Sequence, residues 1–231
     1  GGADVLDVNV GAAGVDELQL LPRAVEAVLE VVDVPLCIDS SDPRALASAL
    51  ERLREIAPEA RPILNSVKGD EHSLRQVLPL VRDYGTAVIA LAMDERGIPS
   101  TPEERLAVLE RIFERAAGAG IPPGDIIADP LALAVSSDSR AALVTFQTIK
   151  MVREKLGCNI TVGASNASFG LPEREVINGA FLAIAIALGV NCPIVDVAKV
   201  RPIVLATELL LGRDPFAVRY IKAYRERTSR S

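Results

Sequence analysis

Short β-branched apolar runs alternate with longer amphipathic stretches along the chain, which indicates an α/β fold. Seven runs are predicted to be buried strands, and they begin at Ala3, Val34, Arg61, Thr86, Asp125, Asn159 and Cys192. Helices are predicted near 22–31, 42–57, 71–84, 102–118, 139–156, 173–189, 202–211 and 214–227. This alternation favours βαβ units and a parallel sheet. No Gly/Ser/Pro-rich linker divides the chain, so we expect residues 1–231 to form one domain.

The starts of several helices can be recognised chemically, and this leaves other polar residues available for function. Thr101 is followed by Pro102 and Glu104, the pattern of a capping box with proline at the first helical position. Asp42 precedes a proline in the same way and is predicted to cap its own helix. Asp39, three residues earlier at a strand end, then has no evident structural task.

Every predicted strand ends on at least one polar side chain. These residues are Asp7, Asn9, Asp39, Ser40, Asn65, Ser66, Asp94, Asp129, Ser165, Asn166, Asp196 and Lys199. A (β/α)8 barrel draws functional residues from the ends of several strands on one face, whereas a doubly wound sheet uses only the crevice where strand order reverses. Polar ends on nearly every strand therefore favour the barrel, although loops also begin at strand ends in any α/β protein.

Composition narrows the classes of function. Hydrophobic residues make up 49% of the chain but aromatic residues only 3%, so the core must be aliphatic. A net charge of -6 repels phosphate backbones, and we expect no nucleic-acid partner. The longest apolar run, 179–190, is too short to cross a membrane, and no secretion signal is evident, so we expect a cytoplasmic protein. The three cysteines lack metal-binding spacing and are expected to be small, buried apolar residues.

The candidate groups suit a flat nitrogen heterocycle better than a phosphate or a metal. Asp and Asn side chains offer acceptors and amide donors that match the N–H, amino and carbonyl edge of a pterin. No glycine-rich phosphate loop is present. A divalent metal held by Asp39 and Asp129 is the second choice because amides are interleaved with the carboxylates. The sole histidine, His72, opens a predicted helix without a GxSxG motif and is expected to lie at the surface.

The strand ends, taken in order, resemble the pterin-binding barrel family. The motifs are LDVNVG, PLCIDSSDP, PILNSV, AVIALAMDERGIP, DIIADPL and TVGASNASFGLP, followed by INGAFLAIAIALGVNCPIVD. Within the family they are more similar to the methyltetrahydrofolate:corrinoid methyltransferases than to the dihydropteroate synthases. The resemblance implies a TIM barrel of the dihydropteroate synthase-like type. Only about seven strands can be counted and the chain opens at Gly1, so the first βα unit of the family is expected to be missing.

The same resemblance implies a site and a reaction. Asp39, Asn65 and Asp129 would hydrogen-bond the pterin ring, and Asn166 would lie near N5 as the catalytic residue. The remaining positions of the expected cavity are Asp7, Asn9, Gly163 and Ser165. The expected reaction moves the N5 methyl group of methyltetrahydrofolate to Co(I) of a corrinoid carried by a partner protein, and it leaves tetrahydrofolate. No resident metal is expected, and a homodimer is a family expectation.

Two other functions stay open at this point. The chain could be a non-catalytic pterin-binding module that keeps the pocket without a productive corrinoid docking face. It could also be a condensing enzyme similar to dihydropteroate synthase, although the lysine motif and the Arg-His pair expected there are not evident.

Overall fold

The computed structural model describes residues 2–229, in which strands and helices alternate as predicted. The strands are β1 (Leu6–Asn9), β2 (Leu36–Asp39), β3 (Ile63–Lys68), β4 (Ala87–Leu91), β5 (Ile126–Asp129) and β6 (Asn159–Ile160). The helices are α1 (Glu17–Leu29), α2 (Pro43–Ile56), α3 (Glu71–Tyr84), α4 (Pro102–Gly118), α5 (Ala141–Lys155), α6 (Arg174–Leu188), α7 (Val197–Leu210) and α8 (Val218–Thr228). No helix in this part of the chain is long and apolar enough to cross a bilayer.

The six strands form one parallel sheet whose spatial order equals their order in the chain. A doubly wound sheet reverses its strand order at a switch point, so the uninterrupted order is that of a barrel wall. The predicted seventh strand is shorter than expected. Its run pairs beside β6 through a single parallel bridge between Gly163 and Ile194, because Pro193 lacks an N–H and Asp196 already caps α7.

The alternation of side chains gives the sheet an inner and an outer face. Outward residues such as Ile38, Leu64 and Val88 join the helices in the main aliphatic core. Inward residues Cys37, Ile89 and Ile127 form a smaller cluster. The polar strand ends therefore lie at the carboxyl edge of the inner face, next to this small apolar cluster.

Two helices begin earlier than predicted, for the same reason. Helix α1 starts at Glu17 and α7 at Val197, where the Asp16 and Asp196 side chains accept N–H groups of the first turn. Prolines lie inside both helices, at 22 and 202, rather than at their starts. An aspartate cap sets the start, and each helix accepts the loss of one backbone hydrogen bond at its proline.

Other local predictions are confirmed. Asp42 caps α2 and Thr101 caps α4 through hydrogen bonds from backbone N–H groups. His72 is exposed in the first turn of α3. The cysteine prediction is confirmed only in part: all three are free thiols, but Cys37 alone is buried, and Cys158 and Cys192 are partly exposed.

Candidate functional site

Three predicted site residues lie side by side across the first three strands. Asn9 of β1 is in register with Asp39 of β2, and Asp39 is in register with Asn65 of β3. Asn65 pairs in turn with Ile89, a member of the inner cluster, so this row faces the inside of the sheet. Because neighbouring parallel strands lie about 4.8 Å apart, the three side chains form a continuous polar strip.

Hydrogen bonds within the strip orient its one carboxylate, that of Asp39. The amide Nδ2 of Asn9 donates to Oδ2 of Asp39 at 2.7 Å, while the Gly11 N–H donates to Oδ1 of Asn9 at 2.7 Å. Within residues 2–229 no group donates to the other carboxylate oxygen of Asp39, which leaves Oδ1 available as an acceptor. Asn9 thus holds Asp39 in place.

Asp7 lies on the same inner face, two residues before Asn9. Partial desolvation raises the pKa of Asp7, and hydrogen bonds from the Cys37 thiol and the Asn65 amide counteract that rise. Desolvation likewise raises the pKa of Asp39, with further contributions from the charges of Asp7 and Glu17. The two carboxyl groups therefore lie close enough to disfavour each other's ionisation, which suits a ligand that brings hydrogen-bond donors.

Asp129 ends β5 on the same face, but it lies further along the strand direction than the row of Asn9, Asp39 and Asn65. It is in register with Leu91, two residues beyond the Asn65–Ile89 row, which places it about 7 Å further along the strand direction. Its side chain is only 7% exposed. Burial raises the pKa of Asp129 to about 7, against the Leu131 N–H bond and the charge of Arg105, which lower it. Asp129 therefore exchanges its proton near neutral pH.

Only one oxygen of Asp129 has a hydrogen-bond partner among residues 2–229. The Leu131 N–H donates to Oδ1 at 2.8 Å. Among residues 2–229 no hydrogen bond reaches Oδ2. Asp129 therefore has one fixed oxygen and one that can accept from a ligand.

Asn166 lies in the loop that follows β6, in a short 3-10 turn over Ala164–Asn166. Its side chain packs on Gly163, since a Cβ added there would lie 3.2 Å from Nδ2 of Asn166. Arg174 secures the neighbouring residue by donating to the Ser165 hydroxyl and carbonyl at 2.9 and 2.8 Å. In the described part of the chain no group hydrogen-bonds the side-chain amide of Asn166, which is exposed at the carboxyl edge.

The loops after β5 and β6 are joined next to Asn166. The Val135 N–H donates to the Ala167 carbonyl at 3.0 Å, and the Ser136 hydroxyl donates to the Phe169 carbonyl at 2.7 Å. The rim that carries Asn166 is thereby connected to the loop that begins at Asp129. The structure thus brings the predicted residues to one edge of one sheet face, while their individual roles stay predictions.

Asp94, another polar strand-end residue, serves the scaffold. Its buried carboxylate accepts hydrogen bonds from Arg96 at 3.0 Å and Arg111 at 2.9 Å, and these bonds hold its pKa well below the usual range. Such a doubly paired carboxylate stabilises the turn after β4 and has little capacity for a ligand. No cluster of three or more metal-ligating side chains occurs in residues 2–229.

A separate cleft of about 430 Å³ lies at the opposite end of β6. Its walls include Arg153, Cys158, Asn191 and Arg213. Because functional groups of barrel enzymes gather at the carboxyl ends of the strands, this cleft at the amino end lies outside the candidate site.

Arg105 was not recognised from the sequence. It extends from the buried face of α4 to the turn after Asp129, where its guanidinium donates to the Pro130 and Leu131 carbonyls. The sequence contains one signal for this role, which is the position of Arg105 in the apolar stripe of α4. The stripe continues with Leu109, Ile112 and Ala116 on the same helical face, and all four residues are buried. A charged residue in an apolar stripe marks a buried polar contact.

Comparison with known proteins identifies the family of this fold. The model of the pterin binding enzyme family matches residues 1–196. The chain is 32% identical over 230 residues to the methylcorrinoid:tetrahydrofolate methyltransferase of Eubacterium limosum, a match covering 97% of this chain and 83% of that protein. It is 28% identical to the methionine synthase of Mycobacterium tuberculosis, covering 87% of this chain and 18% of that longer protein.

Solved structures agree on the fold. Dihydropteroate synthase from Yersinia pestis superposes with a TM-score of 0.69 at 17% identity, over 91% of this chain and 84% of that one. Dihydropteroate synthase from Coxiella burnetii, solved with pteroic acid, gives 0.65 at 19% identity over 90% and 80%. These likenesses confirm the predicted TIM-barrel type of fold. Since the family model covers most of the chain and the Eubacterium limosum relative, 32% identical over nearly the whole chain, is named a methyltransferase, this protein is a methyltransferase that belongs to the pterin binding enzyme family.

Proposed function

We propose that the enzyme transfers the N5 methyl group of methyltetrahydrofolate to Co(I) of a corrinoid held by a partner protein. The observation that carries the proposal is the set of inward acceptors on three strands, Asp39, Asn65 and Asp129, beneath a rim that holds Asn166. A pterin presents an N–H and an amino group on one edge, and ionised carboxylates accept both. A ligand lacking these donors would leave buried acceptors unpaired, which gives the site specificity.

The reaction requires no nucleophile from the protein. The electron pair of Co(I) forms the new cobalt–carbon bond, and the pair of the breaking carbon–N5 bond goes to N5, which takes a proton. An amine nitrogen leaves poorly unless a donor stabilises it in the transition state. The exposed amide of Asn166 can provide such a donor, while the proton itself comes from water because an amide is not an acid of useful strength.

The direction of methyl transfer is determined by which methyl donor is supplied, and the site does not determine it. The name of the Eubacterium limosum relative describes the opposite direction, from a methylcorrinoid to tetrahydrofolate. Forward and reverse transfer pass through the same transition state, so the same side chains serve both. We therefore expect activity in either direction when the appropriate methyl donor is in excess.

The decisive experiment mixes the protein with methyltetrahydrofolate and cob(I)alamin under reducing conditions and follows the absorption spectrum. Formation of methylcobalamin supports the proposal, and its absence in both directions with folded protein overturns it. Binding of methyltetrahydrofolate in calorimetry without transfer would instead identify a non-catalytic pterin-binding module. Product from a pterin pyrophosphate and p-aminobenzoate would identify a condensing enzyme.

We also propose that the enzyme is a homodimer in solution. Helix α8 buries none of its residues within this chain. The surface around it carries exposed apolar side chains, namely Leu210, Phe216, Val218, Ile221 and Tyr224. Several large exposed apolar side chains within one short segment are typical of protein interfaces. Light scattering after size exclusion should give twice the chain mass, and Phe216→Asp should give the monomer; a monomeric native protein contradicts the proposal.

A further inference from the structure

Arg105 is a buried cation without an ion-pair partner. It is only 1% exposed, and no carboxylate of residues 2–229 lies within 4 Å of its guanidinium. Burying a charge without a counter-charge is unfavourable unless hydrogen bonds replace the lost water. For Arg105 most of those bonds go to backbone carbonyls: Nε donates to Pro99 at 2.9 Å, and Nη1 donates to Pro130 at 2.9 Å and Leu131 at 2.7 Å. A longer bond of 3.4 Å runs from Nη1 to the Thr145 hydroxyl. Because the burial of this charge is energetically unfavourable, we expect Arg105 to have a function in the protein.

The two carbonyls bound by Nη1 belong to the turn that immediately follows Asp129. Leu131 has φ of 64°, a left-handed conformation that disfavours any side chain larger than glycine. This conformation accompanies the hydrogen bond from the Leu131 N–H to Oδ1 of Asp129. Arg105 binds the carbonyl side of the turn and helps to hold the strained residue whose N–H binds the carboxylate. The Thr145 hydroxyl donates to the same Leu131 carbonyl at 2.9 Å, so Arg105 shares this contact, whereas its bond to the Pro130 carbonyl is its own.

We propose that Arg105 is a positioning residue for pterin recognition: it fixes the Pro130–Leu131 turn so that Asp129 keeps one oxygen on the Leu131 N–H and presents the other to the ligand. The inference rests on the proposed binding of a pterin at Asp129. Arg105 itself lies behind the turn and acts through it.

Electrostatics support the same role. The interactions that lower the pKa of Asp129 are the Leu131 N–H bond and the positive charge of Arg105, and both depend on Arg105. Other groups face Asp129 from the remaining elements. Burial raises the pKa of the Cys192 thiol to about 11, and the charges of Cys158 and Asp129 add smaller contributions in the same direction. Lys68, at the end of β3, shares the row of Leu91 and Asp129 on the inner face. Removing Arg105 should therefore raise the pKa of Asp129 further.

The test compares Arg105→Met and Arg105→Lys with the native enzyme in two measurements. The first is the pH titration of the Asp129 carboxyl carbon by NMR in the free protein, assigned with Asp129→Asn. The second is methyltetrahydrofolate affinity by calorimetry between pH 6 and pH 9. Binding requires ionised Asp129, so a rise of about one pKa unit in Arg105→Met weakens binding about tenfold more at pH 6 than at pH 9. The loss that remains at pH 9 measures the displacement of the turn. We expect Arg105→Lys to lie between the native enzyme and Arg105→Met.

Two further variants separate positioning from general stability. Arg111→Met changes the same residue type on the same helix, where Arg111 binds Asp94 and Gly69 and not the turn. It should lower stability and leave the Asp129 titration unchanged. Leu131→Gly relieves the left-handed strain, and in the Arg105→Met background it should restore part of the lost affinity.

An unchanged Asp129 titration in Arg105→Met overturns the inference, as does a loss of affinity that is equal at every pH. If Arg105→Met does not fold, the same criteria apply to Arg105→Lys. If the native enzyme binds no methyltetrahydrofolate, the proposed function fails, and the NMR titration alone still decides whether Arg105 sets the state of Asp129.

Discussion

Replacing Asp129 by Asn should stabilise the ligand-free protein above neutral pH, although it removes a binding group. The pKa of Asp129 is raised from an ordinary value of 3.8 to about 7 by burial. A carboxyl whose folded-state pKa is raised favours the folded state at low pH, and this contribution is lost as the pH rises through the folded-state pKa. At pH 8 the folded protein must ionise a buried group that ionises freely in the unfolded chain.

The magnitude follows from the size of that rise. A difference of about three pKa units corresponds to roughly 4 kcal/mol, and the part that develops between pH 5 and pH 8 is roughly 2.5–3 kcal/mol. Asn has no such titration and its Oδ1 can still accept the Leu131 N–H. The free energy of unfolding of Asp129→Asn minus that of the native protein should therefore increase by roughly 2–3 kcal/mol from pH 5 to pH 8.

Urea unfolding at a series of pH values measures this difference directly. Comparing the two proteins at each pH cancels other titrating groups, including Asp7 and Asp39, whose pKa values are also raised. The midpoint difference should widen by roughly 1 M urea between pH 5 and pH 8. A difference that is constant with pH would refute the view that Asp129 titrates near neutrality in the folded state.

Three other substitutions test separate parts of the argument. Asn166→Ala should lower kcat about 100-fold with little change in folate affinity if its amide acts in the transition state. The control Asn159→Ala, at the opposite end of β6, should leave kcat unchanged. Equal losses of kcat in the two variants would contradict a role of Asn166 in the transition state. Gly163→Ala places a Cβ 3.2 Å from Nδ2 of Asn166 at an otherwise ordinary φ of -78°. This substitution should therefore lower kcat about tenfold without changing the thermal midpoint. An unchanged kcat in Gly163→Ala would show that the contact is unimportant. Thr101→Ala removes the cap of α4 and should cost about 1 kcal/mol in urea unfolding, a loss that would be absent if the cap bond contributes nothing.

Much of the fold follows from local signals in the chain. The bounds of α3 and α4 coincide with those predicted because each begins behind a capping side chain, Asp70 or Thr101, and α3 ends at Gly85 in a left-handed conformation. The predicted starts of α1 and α7 lie five residues too late, at positions that are occupied by Pro22 and Pro202. A short side-chain cap several residues upstream determined both starts.

The gathering of Asp39, Asn65 and Asp129 could also be predicted, since the carboxyl ends of parallel strands meet at one edge. Their individual states could not be predicted. The burial of Asp129 depends on how far β5 extends beyond the row that contains Asn65. The hydrogen bonds from Arg105 to Pro130 and Leu131 join residues that are 25 and 26 positions apart in the chain. Register and long-range packing determine these contacts, and neither is visible in local periodicity.

The candidate site combines features that are unfavourable in the empty protein. Asp129 is buried with a raised pKa, Arg105 is buried without a carboxylate partner, and Leu131 is held in a left-handed conformation. A ligand that donates an N–H and an amino group to Asp129 would favour the ionised carboxylate and so offset its burial. Binding near pH 6 should therefore release about one proton per ligand, and binding at pH 9 should release none. Calorimetry in buffers of different ionisation enthalpy measures that proton count, and release that does not change with pH would show that a group other than Asp129 receives the ligand.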